Sequence, residues 1–152
     1  MTKIQKPANT SVPISDLVSN RWSPRVYDPT HVVSKEQVLR LAEAARWSAS
    51  GNNAQPWRFG FTLRGEELFE KISGSMLSGF NASWAPHASL YVLAFADKFR
   101  ADGTEIDRHA SYFNNALATS QLVFEAEAMG LKAHYMGGVM HDEILKLVGV
   151  DD

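Results

Sequence analysis

Residues 47–63 read WSASGNNAQPWRFGFTL, and two different patterns meet in this stretch. Trp47 to Pro56 is dense in Ser, Gly and Asn and closes on a proline, the composition of a loop whose side chains compete with the backbone for hydrogen bonds. Trp57 to Leu63 then alternates, with Trp57, Phe59, Phe61 and Leu63 on one face, as a half-buried strand does. Upstream, Ser34 and Gln37 stand at capping-box spacing, and Val38, Leu41, Ala42 and Ala45 form one apolar face at helical period, which predicts a helix over about 35–47. A capped helix, a polar loop and a strand thus follow one another in close succession.

Downstream of the strand, Gly65 to Ile72 is expected to form a short helix. SGSMLSGFNASWAP (residues 73–86) is a Gly- and Ser-rich connection able to shape a pocket. HASLYVLAFA (87–96) is apolar almost throughout, so it is expected as a central strand covered on both faces. From about Glu105 to Met129 runs a long helical pattern ended by Gly130, with Tyr112, Phe113, Leu117, Leu122, Val123 and Phe124 apolar on more than one face. One small sheet cannot cover so much of a helix, which points to a subunit interface. Leu131 to Met136 is expected as a strand, Gly137-Gly138 as a tight turn and His141 to Val148 as a short helix. At the other end, residues 1–13 are expected as a loosely held arm before a short helix at Ile14 to Asn20, followed by an irregular RWSPRVYDPT (21–30).

Composition narrows the chemistry. The chain has 152 residues, 45% of them apolar, enough for one domain with a real core. A formal charge of -2 with no long run of like charge makes nucleic acid and anionic membranes poor partners. There is no cysteine, which excludes disulfides, thiolate metal sites and a Cys nucleophile and leaves redox chemistry to a bound cofactor. The N-terminus lacks the apolar core of a signal peptide and no later stretch approaches a membrane span, so the expected location is the cytoplasm. The five histidines show no metal-ligand spacing, and neither a G-x-S-x-G elbow nor a G-x-G-x-x-G fingerprint is present. No metal and no catalytic acid, base or nucleophile is nominated.

Several residues can bind. Arg21 and Arg25 flank Ser23, and two guanidinium groups with a hydroxyl suit a phosphate; the plainer alternative is two surface arginines paired with acids such as Asp28. Ser50, Asn53 and Gln55 can donate to and accept from the edges of a flat heterocycle, with Trp57 close by, or they can serve only their own loop as an Asx turn. Asn81 can reach a ligand, whereas Trp84 reads as packing.

In this order and spacing, RWSPRVYD, ASGNNAQPWRF and FNASWAP before an apolar strand resemble the FMN-dependent nitroreductase family. The family's first motif places Arg21, Trp22, Ser23 and Arg25 at the FMN phosphate and ribityl chain, although Trp22 and Pro24 are uncommon choices there. Its second motif matches Ser50, Asn53, Gln55, Pro56 and Trp57 and implies contacts with the flavin ring, partly from the neighbouring subunit. Asn81 matches an asparagine at the flavin's pyrimidine edge, and Gly137-Gly138 a turn passing over the ring near N5. The resemblance covers about Ile14 to Val150. It implies an α+β fold with a mainly antiparallel central sheet wrapped by helices, an intertwined homodimer with FMN at the interface, and NAD(P)H as electron donor to a small acceptor such as a nitroaromatic or quinone. The alternatives are a non-catalytic flavin-binding or structural dimer of this fold, or a generic anion-binding domain. Family members usually continue past the position of Asp152 with basic residues for the phosphate and a strand that crosses to the partner.

Overall fold

Ser34 opens the first long helix as its sequence demands. Its hydroxyl accepts from the Gln37 backbone N–H at 3.2 Å and the Gln37 side chain accepts from the Ser34 N–H at 2.9 Å, so α2 (Lys35–Arg46) begins with both ends of a capping box closed. Ser34→Ala is expected to cost about 1 kcal/mol, read as a lowered urea midpoint with an unchanged slope. The computed structural model describes residues 4–150. These fall into two compact units, one made of the chain up to Ser23 with Ser34–Gly60 and Leu93–Ala133, the other of Pro24–Val33, Phe61–Val92 and the chain from His134 onward.

In the first unit, the short α1 (Asp16–Ser19) and α2 both pack along α4 (Arg108–Ala128). Leu41 and Ala45 of α2 are buried, as are Ala118, Leu122, Val123 and Ala126 of α4. Small residues at such positions let helix axes approach closely. Arg40 and Glu125 form an ion pair between the two helices. The Asp107 carboxylate caps α4 by accepting from the Ala110 N–H at 2.8 Å. This start lies later than the expected Glu105, because Glu105 pairs with Phe99 and the Ile106 N–H is bonded to the Lys98 carbonyl. Gly130, at φ 74°, ends α4: its N–H reaches the Glu127 carbonyl and the Leu131 N–H reaches that of Ala126, a Schellman motif.

In the second unit, α3 (Glu67–Lys71) continues into a widened turn at Ile72–Met76, against which α5 (His141–Val148) packs. The expected helix start at Gly65 is displaced, since Gly65 sits at φ 91° in the turn leaving the preceding strand. Phe69, Ile72 and Thr62 are almost fully enclosed, and the Phe69 ring stacks on Tyr91 at 4.1 Å.

Strands β1 (Trp57–Leu63) and β2 (Leu90–Ala96) make a two-stranded sheet. The Arg64 N–H bonds to the Ser89 carbonyl at one end and the Asp97 N–H to that of Pro56 at the other, so the pairing is antiparallel. The central placement expected for 87–96 is corrected here: among the described residues β2 has β1 as its one neighbour, and Ala94 is exposed. The strand also starts late, because Ala85–His87 forms a tight turn around Pro86. Leu131–Met136 forms no strand, and nearby only Leu77 and Val139 make an isolated bridge. Alternation in sequence cannot supply the partner that a ladder requires. Among the described residues, no helix is long and apolar enough to cross a membrane.

Candidate functional site

The polar loop at 50–55 carries the least ordinary backbone in the molecule. Asn52, Asn53 and Gln55 lie at φ 52°, 54° and 47°, the only described residues other than glycine in the left-handed region. Asparagine tolerates that region better than most side chains, but Gln55 has neither that advantage nor, ahead of Pro56, a wide choice of conformation. Such residues cost on the order of 1–3 kcal/mol each and persist where surrounding contacts over-determine them, commonly at binding sites. Here Ser50 Oγ accepts from the Gln55 N–H at 3.0 Å, the Asn53 N–H reaches the Ser50 carbonyl, and Gln55 Nε2 donates to the Arg46 carbonyl at 3.1 Å. Ser50 and Gln55 therefore also serve their own loop. The Asn53 amide is exposed and makes no hydrogen bond among the described residues.

The same unit holds Arg21, Trp22 and Ser23, released from α1 in irregular backbone. Arg21 Nη1 donates weakly to Ser23 Oγ at 3.4 Å, and no described carboxylate pairs with the guanidinium. Trp22 Nε1 is buried without a hydrogen-bond partner, while Lys6 Nζ stands 5.2 Å from the centroid of its ring. A buried indole N–H left unpaired is costly, so Trp22 Nε1, like Trp84 Nε1 in the second unit, has capacity for an acceptor.

In the second unit, Arg25 lies over the exposed Phe80 ring at 5.9 Å and has no carboxylate partner among the described residues. Asp28, the acid available to it in sequence, instead accepts from the hydroxyl and N–H of Thr30, and these bonds hold its carboxyl below the usual range. Pairing with Asp28 therefore does not account for the arginine. Asn81 Nδ2 donates to the Gly138 carbonyl at 3.0 Å, and the Ser78 N–H reaches the same oxygen. At Gly137 and Gly138, where a tight turn was expected, the backbone forms neither a turn nor a bend, and the Val139 N–H reaches the Gly137 carbonyl at 3.0 Å. An added Cβ at 138 would stand 2.6 Å from Asn81 Nδ2, so a larger residue there must push that amide aside. Gly138→Ala is expected to displace that amide and to cost about 1 kcal/mol, measurable as a shift in urea midpoint that Asn81→Ala removes.

Beside this latch, Trp84 is buried between Tyr27, at 6.1 Å, and His134, at 4.4 Å between ring centroids. His134 Nδ1 bonds to the Pro24 carbonyl, and burial pushes the Tyr27 hydroxyl up to about 12. Tyr27 lies within the RWSPRVYD stretch without having been singled out, and His134 is marked by no motif. Two polar residues of α4, Ser111 and Asn114, are also buried, and the signal that could have marked them is their placement on the covered side of an apolar helix.

The chain belongs to the nitroreductase family, whose model matches residues 18–91 and 77–152. It is similar to a Bacillus subtilis protein named as an NAD(P)H nitroreductase, 26% identical over 90% of this chain and 80% of that one. It is also similar to the major NAD(P)H-flavin oxidoreductase of Aliivibrio fischeri, 36% identical over 57% of this chain and 39% of that protein. A solved structure of an oxidoreductase containing FMN superposes with a TM-score of 0.87 at 28% identity, covering all of this chain and 76% of that one.

Proposed function

We propose that this chain is an FMN-dependent oxidoreductase that draws electrons from NAD(P)H and delivers them to a small acceptor such as a nitroaromatic or quinone. The observation that carries the proposal is the loop of left-handed Asn52, Asn53 and Gln55, whose backbone is held in a costly shape while the Asn53 amide is left open. The donor set fits the group: guanidinium, hydroxyl and an unpaired indole N–H for a phosphate and its sugar chain, amides for a heterocycle edge. Bound FMN would supply the redox chemistry as two successive exchanges, with hydride from NAD(P)H first and electrons to the acceptor after the nicotinamide has left.

The protein's own part is binding and orientation. In the first unit, Arg21, Trp22 and Ser23 are assigned to the phosphate end, and Ser50, Asn53 and Gln55 to the ring. In the second unit, Arg25 is assigned to the phosphate, Asn81 Oδ1 to the pyrimidine edge, and Gly137 and Gly138 to a segment that brings backbone near the ring without a side chain in the way. No side chain is assigned as a general acid or base. The whole chain is taken as one functional FMN-binding domain acting in the cytoplasm.

We further propose a homodimer through α4. Tyr112, Phe113 and Leu117 of that helix are exposed at 58%, 65% and 36%, an apolar stripe of the kind subunit interfaces cover. One experiment addresses the whole reading: an absorbance spectrum with added FMN, before and after anaerobic NADH or NADPH, with the mass in solution measured alongside. Flavin bands that shift on binding and bleach on reduction, in a particle of twice the chain mass, are the expected result. A yellow protein that neither nucleotide bleaches would be a non-catalytic flavin binder, and a colourless one that ignores FMN would end the proposal. Kinetics requiring NAD(P)H and acceptor to be bound together would remove the two-step scheme alone.

A further inference from the structure

We propose that Asn114, in the N-terminal third of α4, is a positioning residue that holds the 50–55 loop in the strained form offered to the flavin, an inference that rests on the FMN reading above. Asn114 is buried on a helix whose other buried positions, Ser111 apart, are apolar. Its amide is committed in two directions. Nδ2 donates to the Ala110 carbonyl at 2.7 Å, and Oδ1 accepts from the Gly51 N–H at 3.2 Å, a bond between residues 63 apart in sequence. The two partners fix the orientation of the amide, because a carbonyl needs the NH₂ group and an N–H needs the oxygen.

Ser111, about one turn earlier, donates to the Asp97 carbonyl at 2.7 Å and lies at 3.5 Å from that of Pro56. One turn of α4 thus holds backbone at both ends of the loop, Gly51 at its entrance and Pro56 at its exit. The bonds within the loop, from the Gln55 N–H to Ser50 Oγ and from the Asn53 N–H to the Ser50 carbonyl, fix its curvature but do not tie it to α4. Only the Asn114 bond ties the loop entrance to that helix among the described hydrogen bonds.

The test removes this bond from each side. Asn114→Leu deletes the acceptor, Gly51→Pro deletes the donor, and Asn114→Asp keeps an oxygen for Gly51. Proline suits position 51, since an added Cβ there meets nothing within 4 Å and Ser50 is extended at φ -150° and ψ 156°, the region favoured before proline. Amide hydrogen exchange of the FMN-free protein and the dissociation constant for FMN are measured for each variant. Asn114→Leu and Gly51→Pro are each expected to speed exchange at 52–55 by about tenfold, with α2 unchanged, and to weaken FMN by about tenfold. The double variant should be no worse than the poorer single, because both remove one bond, and Asn114→Asp, which keeps an oxygen for Gly51 but sets the other against the Ala110 carbonyl, should fall between the parent and Asn114→Leu.

Unchanged loop exchange in Gly51→Pro, or effects that multiply in the double variant, would overturn the proposal. Should Asn114→Leu fail to fold, Gly51→Pro and Asn114→Asp still decide it. Should the parent protein ignore FMN, the flavin reading falls, while the exchange comparison continues to judge the role of Asn114.

Discussion

Replacing Arg21 with alanine is expected to raise the dissociation constant for FMN by roughly ten- to a hundredfold, the effect of losing one charged hydrogen bond to a phosphate. The guanidinium is half-buried, its described hydrogen bond is the long one to Ser23, and no described carboxylate neutralises it, so little of its binding capacity is spent inside the protein. Arg21→Lys should recover only part of the affinity, because an ammonium carries the charge but not the planar fork. Titration of each variant with FMN, and with inorganic phosphate as competitor, reads the effect directly. Affinity for FMN within about twofold of the parent in Arg21→Ala would remove this residue from the phosphate site.

The largest stability effect is expected from Phe69→Ala, with a loss of about 3–5 kcal/mol. Phe69 is 1% exposed and its ring lies 4.1 Å from that of Tyr91 at an interplanar angle of 9°, so the substitution removes a packed aromatic pair and leaves a cavity. Tyr91 is further fixed by a 2.9 Å hydrogen bond to Ser73, which limits how far it can move to fill the space. Since whole domains are stable by only about 5–15 kcal/mol, the variant should unfold at markedly lower urea concentration. A change below about 1 kcal/mol would mean that this cluster is not the core of its unit.

How much was legible follows from which interactions are local. The capping box of α2, the strand Trp57–Leu63 and the glycine stop after α4 each depend on residues within one or two turns of one another, and each forms where the pattern places it. The strand expected at Leu131–Met136 and the central position of β2 failed for one reason, since a ladder needs a neighbour and composition does not choose one. Of the residues proposed for binding, Ser50, Asn53 and Gln55 were identifiable by type, but the left-handed backbone of Asn53 and Gln55 was not.

The sequence by itself determined the class of fold, the family and the residue types available to a phosphate and a heterocycle, because capping, period and motif order are written along the chain. Tertiary structure alone decided that Asp28 turns to Thr30 and leaves Arg25 without it, that Asn81 presses close against Gly138, and that Asn114 holds Gly51. The Gly138 and Asn114 contacts join residues far apart in sequence, and the choice made by Asp28 among nearby partners is a matter of side-chain geometry. In all three, donors, acceptors and excluded volume become specific only when the folded backbone brings them within hydrogen-bond reach.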